Sequence, residues 1–214
     1  MRRVTRVRRG SARCLPVAAR GGTFGVSLLP SRMHSRISEL VAYLTQQREA
    51  VLGAASAVSR QHWSEPPGEG RWSVVQNLDH LRQVETGVGK VIAKRATAAR
   101  AAGHPEERDS SSVMGSLDGH RLDDRSTPLE APSLVMPEPG ATAEGTLAKL
   151  EESRAALLDA IRGADGLALG EIKHTHLRLG EIDLYQWILF VGLHEKRHAH
   201  QLAELAGQFD TAPR

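Results

Sequence analysis

The chain is predicted to be all-α: a four-helix bundle with a long crossover loop between its second and third helices. Three observations carry this. Four segments, each longer than twenty residues, repeat apolar side chains every three to four positions; prolines and glycines gather in the gaps between them; and no strand-like run of any length competes. At 214 residues and 40% hydrophobic content, one medium domain has enough apolar surface for a single core.

The first segment, residues 35–61, places Ile37, Leu40, Val41, Leu44, Val51, Leu52, Ala55 and Val58 on one stripe, and Pro66, Pro67, Gly68 and Gly70 end it. Ser73 followed by Gln76 reads as a capping box, in which each side chain answers the other's backbone N–H, opening a second helix over 74–102. Its stripe holds Asn77, Leu81, Val84, Val88, Val91 and Ile92, and Gly103 closes it. Residues 104–140 are polar, with prolines at 105, 128, 132, 137 and 139; a stretch of that length without periodicity reads as a lid or a disordered excursion. The third helix, 142–162, rests on Leu147, Leu150, Ala155, Leu157, Leu158 and Ile161. After a turn-rich 163–180, the fourth covers 183–208 with an inner stripe of Leu184, Trp187, Ile188, Val191, His194, His198, Gln201, Leu202 and Leu205.

Charge divides the chain. Residues 1–32 carry eight arginines and no acid, so subtracting eight from the formal +3 leaves −5 for residues 33–214. The basic character therefore belongs to the leader, which is expected to be a disordered tail or a start placed too far upstream. An Arg-rich presequence is the second reading. A secretory signal fits worst, because the apolar stretch 24–29 is short and Pro30 interrupts it. The domain is expected over 33–210, cytoplasmic, without a membrane span. It lacks the basic stripe that nucleic-acid binding requires. The single cysteine, Cys14, lies in the leader. This excludes a disulfide framework and a multi-cysteine metal site, and any thiol chemistry in the domain would need a thiol brought by a substrate.

His194 and His198 stand four apart on the fourth helix and continue the apolar stripe of Trp187, Ile188 and Val191, so both are expected to point inward. Two buried imidazoles need partners, since an unsatisfied buried polar group costs about 1–3 kcal/mol. One metal ion satisfies both, at roughly 2.0–2.1 Å each. The bland alternative is a pair of core histidines bonded to their neighbours. A third ligand is offered by the second helix: His80 shares a face with Asn77 and Val84, and bundle metal sites are built from inward side chains on facing helices. Around these three, Gln201 lies one turn past His198 and is placed to orient an imidazole. Arg197 is placed to bind an anionic cosubstrate, and Trp72 to staple the start of the second helix or to touch substrate.

Residues 70–81, Gly-Arg-Trp-Ser-Val-Val-Gln-Asn-Leu-Asp-His-Leu, followed by Glu85, resemble the DinB-like superfamily, whose hallmark is a Trp-Ser or Trp-Thr turn followed by a His-Leu pair. The second half is similar as well, at His176-Leu177-Arg178-Leu179-Gly180, at Gln186-Trp187-Ile188, and over 194–202. The resemblance covers about 35–208, apart from most of 104–131. It implies a four-helix bundle holding a divalent metal, zinc or nickel, on three histidines, which fall here on His80, His194 and His198. Relatives include transferases and isomerases that use a low-molecular-weight thiol such as bacillithiol or mycothiol. The resemblance therefore implies a small-molecule electrophile and a thiol as partners, with the thiol bound as thiolate, and allows a homodimer.

Two other readings stand beside it. One is a non-catalytic, metal-stabilised stress or interaction protein that uses 104–140 as its contact segment. The other follows from residues 194–198, which satisfy H-E-x-x-H, the metallohydrolase pattern with Glu195 as general base. The extended form of that pattern needs glycine at 201 and histidine at 204, where this chain has Gln201 and Glu204. In the preferred reading Glu195 faces outward beside Lys196.

Overall fold

A computed structural model describes residues 33–126 and 130–210; the leader and its alternative readings fall outside the described residues. Four helices form: α1 (Ser35–Ser56), α2 (Val74–Ala101), α3 (Ala143–Ala164) and α4 (Leu184–Asp210). The capping box at α2 is made as expected. Ser73 Oγ accepts from the Gln76 N–H at 3.2 Å, and Gln76 Oε1 accepts from the Ser73 N–H at 2.9 Å. Thr142 caps α3 by accepting from the Gly145 N–H.

Helix directions follow from which residues meet. Gly89 lies against Leu157, Ser153 bonds Glu85 and Arg100 bonds the Gly163 carbonyl, so α2 and α3 run parallel. Tyr43 lies on Gly192 and Arg48 meets Glu195, so α1 and α4 are parallel too. The α2–α4 pair is antiparallel, Asn77 meeting His198 and His80 meeting His194. Parallel α2 and α3 need a connection that returns the full length of the bundle, and the crossover supplies it.

Several expectations need correction. The first helix stops at Ser56 rather than 61, because the chain turns to bury Trp63, whose indole N–H donates to the Val58 carbonyl at 3.0 Å. Leu52, placed on the inner stripe, is 39% exposed; Val51 is buried as expected, and Gln47, which was not placed there, is buried too. Strands do form: β1 (Lys173–His176) pairs antiparallel with β2 (Gly180–Asp183). Four-residue strands this polar gave no apolar alternation to read. Asp183 ends β2 and opens α4 in a second reciprocal cap with Gln186.

The described part of the crossover is packed rather than an excursion. Leu117 is fully buried, and Glu107 accepts from Arg36 at 3.0 Å and from the Tyr185 hydroxyl at 2.9 Å. Further along, Asp79 accepts the Glu138 N–H at 2.7 Å, and Gln83 donates to the Met136 carbonyl at 2.6 Å. These bonds strap residues 135–138 along α2.

The core comes in two apolar clusters. One is built around Leu40, Leu44, Ile92, Leu157 and Ile188, the other around Val51, Leu78, Leu150, Leu202 and Leu205. Between them lies a layer with one charged residue from each helix: Arg48, Glu85, Arg154 and Glu195. Arg48 meets Glu85 at 3.0 Å and Glu195 at 2.6 Å, while Arg154 stands 2.7 Å from each carboxylate; both glutamates are about 1% exposed.

Candidate metal centre

His80, His194 and His198 converge in the groove between α2 and α4, with one ring nitrogen from each within 4.8 Å of the others. His80 and His198 are buried, and His194 is partly exposed. The His80 and His194 Nε2 atoms stand 3.3 Å apart. Two nitrogens at about 2.05 Å from one tetrahedral ion would be about 3.3 Å apart, so this edge is already the size a metal needs.

The far sides of two rings settle which nitrogens are available. His80 Nδ1 lies 2.7 Å from the Val135 carbonyl, which can only accept, so Nδ1 carries the proton and Nε2 keeps its lone pair. His198 Nδ1 lies 2.9 Å from Asn77 Oδ1. The Asn77 amide nitrogen donates to the Ser73 carbonyl at 2.9 Å and the Trp72 carbonyl at 3.3 Å, which fixes the amide's orientation and makes His198 Nδ1 the donor. Both rings therefore present Nε2 lone pairs to the cluster, with outer N–H groups held as metal-ligating histidines hold them. The residues fit a divalent ion.

Electrostatics agree. Burial lowers the pKa of His80, and holds His194 and His198 well below the ordinary 6.5, each also opposed by its neighbours and by Arg197. The rings are neutral near pH 7, the state a ligand requires. Trp72 covers them, its ring centroid 4.8 Å from His80 and 6.3 Å from His198. On the other side, Phe190 stacks on His194 at 5.4 Å and touches His176 of the hairpin at 4.6 Å.

The remaining expectations divide. Trp72 is at the cluster. Arg197 is buried, not solvated, and donates to the Asp124 carbonyl. The imidazole nitrogen that Gln201 was placed to orient is taken by Asn77, and Gln201 Oε1 is buried without a hydrogen bond among the described residues. Glu195 corrects the outward assignment. It is buried, with Oε1 2.6 Å from Arg48 Nε and Oε2 2.7 Å from Arg154 Nη2. With both of its oxygens bonded to guanidinium groups inside the bundle, this carboxylate is not turned toward the histidines, which removes the support for an H-E-x-x-H hydrolase.

Sequence reasoning missed the supporting shell. Asn77 had a signal, since it lies three residues before His80 on the same face. Val135 acts through its backbone carbonyl and had none. Asp79, buried and accepting from Arg82, Gln83 and the Glu138 N–H, holds the strap that carries Val135.

The fold and site define a class, the four-helix bundle with a three-histidine cluster between its second and last helices. The chain belongs to the DinB superfamily, whose sequence profile matches residues 43–202. It is 26% identical over 162 residues to the uncharacterized protein YuaE of Bacillus subtilis (strain 168), spanning 72% of this chain and 90% of that one. The crystal structure of TT2238, a four-helix bundle protein, superposes with a TM-score of 0.52 at 20% identity, covering 78% of this chain and 98% of that one; this likeness concerns the fold. Among the described residues, no helix is long and apolar enough to cross a membrane.

Proposed function

We propose that this protein is a divalent-metal-dependent transferase, holding zinc or nickel on His80, His194 and His198 and joining a small thiol to an electrophilic small molecule. The observation that carries the reading is the pair of locked imidazoles: Val135 and Asn77 fix the outer N–H groups, so the lone pairs converge without rearrangement. A bound divalent ion would supply thiol acidification at neutral pH. The chain's own contribution is to keep three ligands neutral, to shield two of them, and to leave the third, His194, partly exposed. Three protein ligands leave coordination positions for other molecules, and a partly exposed ligand marks the side from which they arrive.

Metal analysis of tag-free protein tests the site. About one zinc or nickel per chain is expected, and none in a His80→Ala, His194→Ala double variant. Consumption of a small thiol in the presence of an aryl halide, dependent on the added metal, tests the chemistry. A metal-loaded protein inert toward a panel of thiols and electrophiles would favour the second reading, a metal-stabilised scaffold.

A further inference from the structure

The three histidines are not held alike. His80 donates through Nδ1 to the Val135 carbonyl at 2.7 Å, His198 donates through Nδ1 to Asn77 Oδ1 at 2.9 Å, and both residues are buried. His194 is only partly buried, and its ring has no outer acceptor of this kind among the described residues. Its one hydrogen-bond contact there is with His80, Nε2 to Nε2 at 3.3 Å. That contact assigns a proton. With its hydrogen on Nδ1, His80 offers only a lone pair at Nε2, so the hydrogen between the two nitrogens belongs to His194 Nε2. In the metal-free protein His194 is therefore the Nε2–H tautomer, carrying its proton where a ligand needs a lone pair, while the other two rings are already set. Phe190, itself half-buried, stacks on the His194 ring with planes 19° apart. Stacking resists tilting of a ring but leaves it free to turn within its own plane, a freedom that an outer hydrogen bond removes.

We propose that His194 is the exchangeable member of the triad: His80 and His198 hold the metal, and His194 joins last and yields its place to an incoming donor ligand. Joining takes one rearrangement that conserves charge. The N–H bond at Nε2 breaks and one forms at Nδ1, the proton passing through water at the partly exposed ring. Yielding reverses the change, and the contact with His80 receives the ring again. The inference rests on the metal site of the reading above and not on its thiol chemistry.

Long-range proton–nitrogen correlation spectra of the full chain, labelled at its histidines, read the tautomers directly; the His194 signals are those missing from His194→Ala. In the metal-free protein His80 and His198 are expected as Nδ1–H and His194 as Nε2–H, and of the three only His194 should change tautomer when zinc is added. His194 found as Nδ1–H before zinc would overturn the assignment. In chelator competition, His194→Ala is expected to weaken zinc binding at least about ten-fold less than His80→Ala or His198→Ala, since it removes a ligand without the outer bond that is worth about 10–100-fold. The spectra need no core substitution, so they decide the tautomers even where His198→Ala fails to fold. Zinc bound with equal losses at all three positions would remove the exchange and keep the metal site. An unaltered chain that binds no zinc would remove both.

Discussion

The histidine triad and the Arg48–Glu85–Arg154–Glu195 layer draw on the same two central helices, at His80 and Glu85 of α2 and at the adjacent His194 and Glu195 of α4. One residue along a helix is a turn of about 100°, and that step separates two opposite electrostatic designs. In the layer each carboxylate meets both guanidinium groups, so buried charge is answered by buried charge. In the triad three neutral bases face one another with no counter-charge, and two keep their lone pairs unspent. The first arrangement is closed and holds helices together; the second is held open by its surroundings and invites a cation. Polar burial alone therefore does not mark a functional site. Whether the buried groups meet an opposite charge does.

The largest effect should come from breaking the closed cluster. Glu195→Ala leaves Arg48 and Arg154 to share Glu85 alone and is expected to cost about 3–5 kcal/mol in urea unfolding, while the fraction that stays folded keeps its metal. Loss of metal with unchanged stability would reverse the roles assigned to the two clusters. Gly192→Ala comes next. A Cβ there would fall 2.5 Å from the Tyr43 ring, so the ring must move or the α1–α4 seam spread, at roughly 1–3 kcal/mol, with the triad intact.

Asn77→Leu sharpens the other half of the comparison. It removes the acceptor that fixes His198 and should weaken metal binding about 10–100-fold in chelator competition. If affinity is unchanged, the Asn77 bond is only a helix-start contact. The smallest effect is that of pH on the metal-free protein. The imidazole pKa values are depressed on folding, so the unfolded chain binds more protons below the ordinary 6.5. Stability should hold above that value and fall as the pH is lowered through it, and His198→Ala should flatten the slope. A slope that steepened in that variant would contradict the assigned sign.

Much of this was legible in the sequence because helices advertise themselves by phase. The Ser73–Gln76 box, four helices to within a few residues, and the inward pairing of His194 with His198 all follow from spacing. Glu195 was misplaced for a physical reason. The outward assignment assumes one buried face, but α4 packs against α1 and α2 and is buried on two sides, so the position next to a ligand turns into the core. The hairpin was hidden by strands of four polar residues. The strap was hidden because its contribution is a main-chain carbonyl, which any residue at 135 would bring.

The parallel course of α2 and α3 also sets an order of events. Adjacent antiparallel helices can zip from a short turn, but these two must close a segment of about forty residues before they touch, roughly 2 kcal/mol more loop entropy than a five-residue turn requires. Helix formation is fast and local, whereas closure of the crossover is distant and late. The Val135 carbonyl arrives only with that closure. In stopped-flow refolding, helical signal should therefore appear first and tight metal capture should lag behind it, so that the chain acquires its helices before it acquires its affinity.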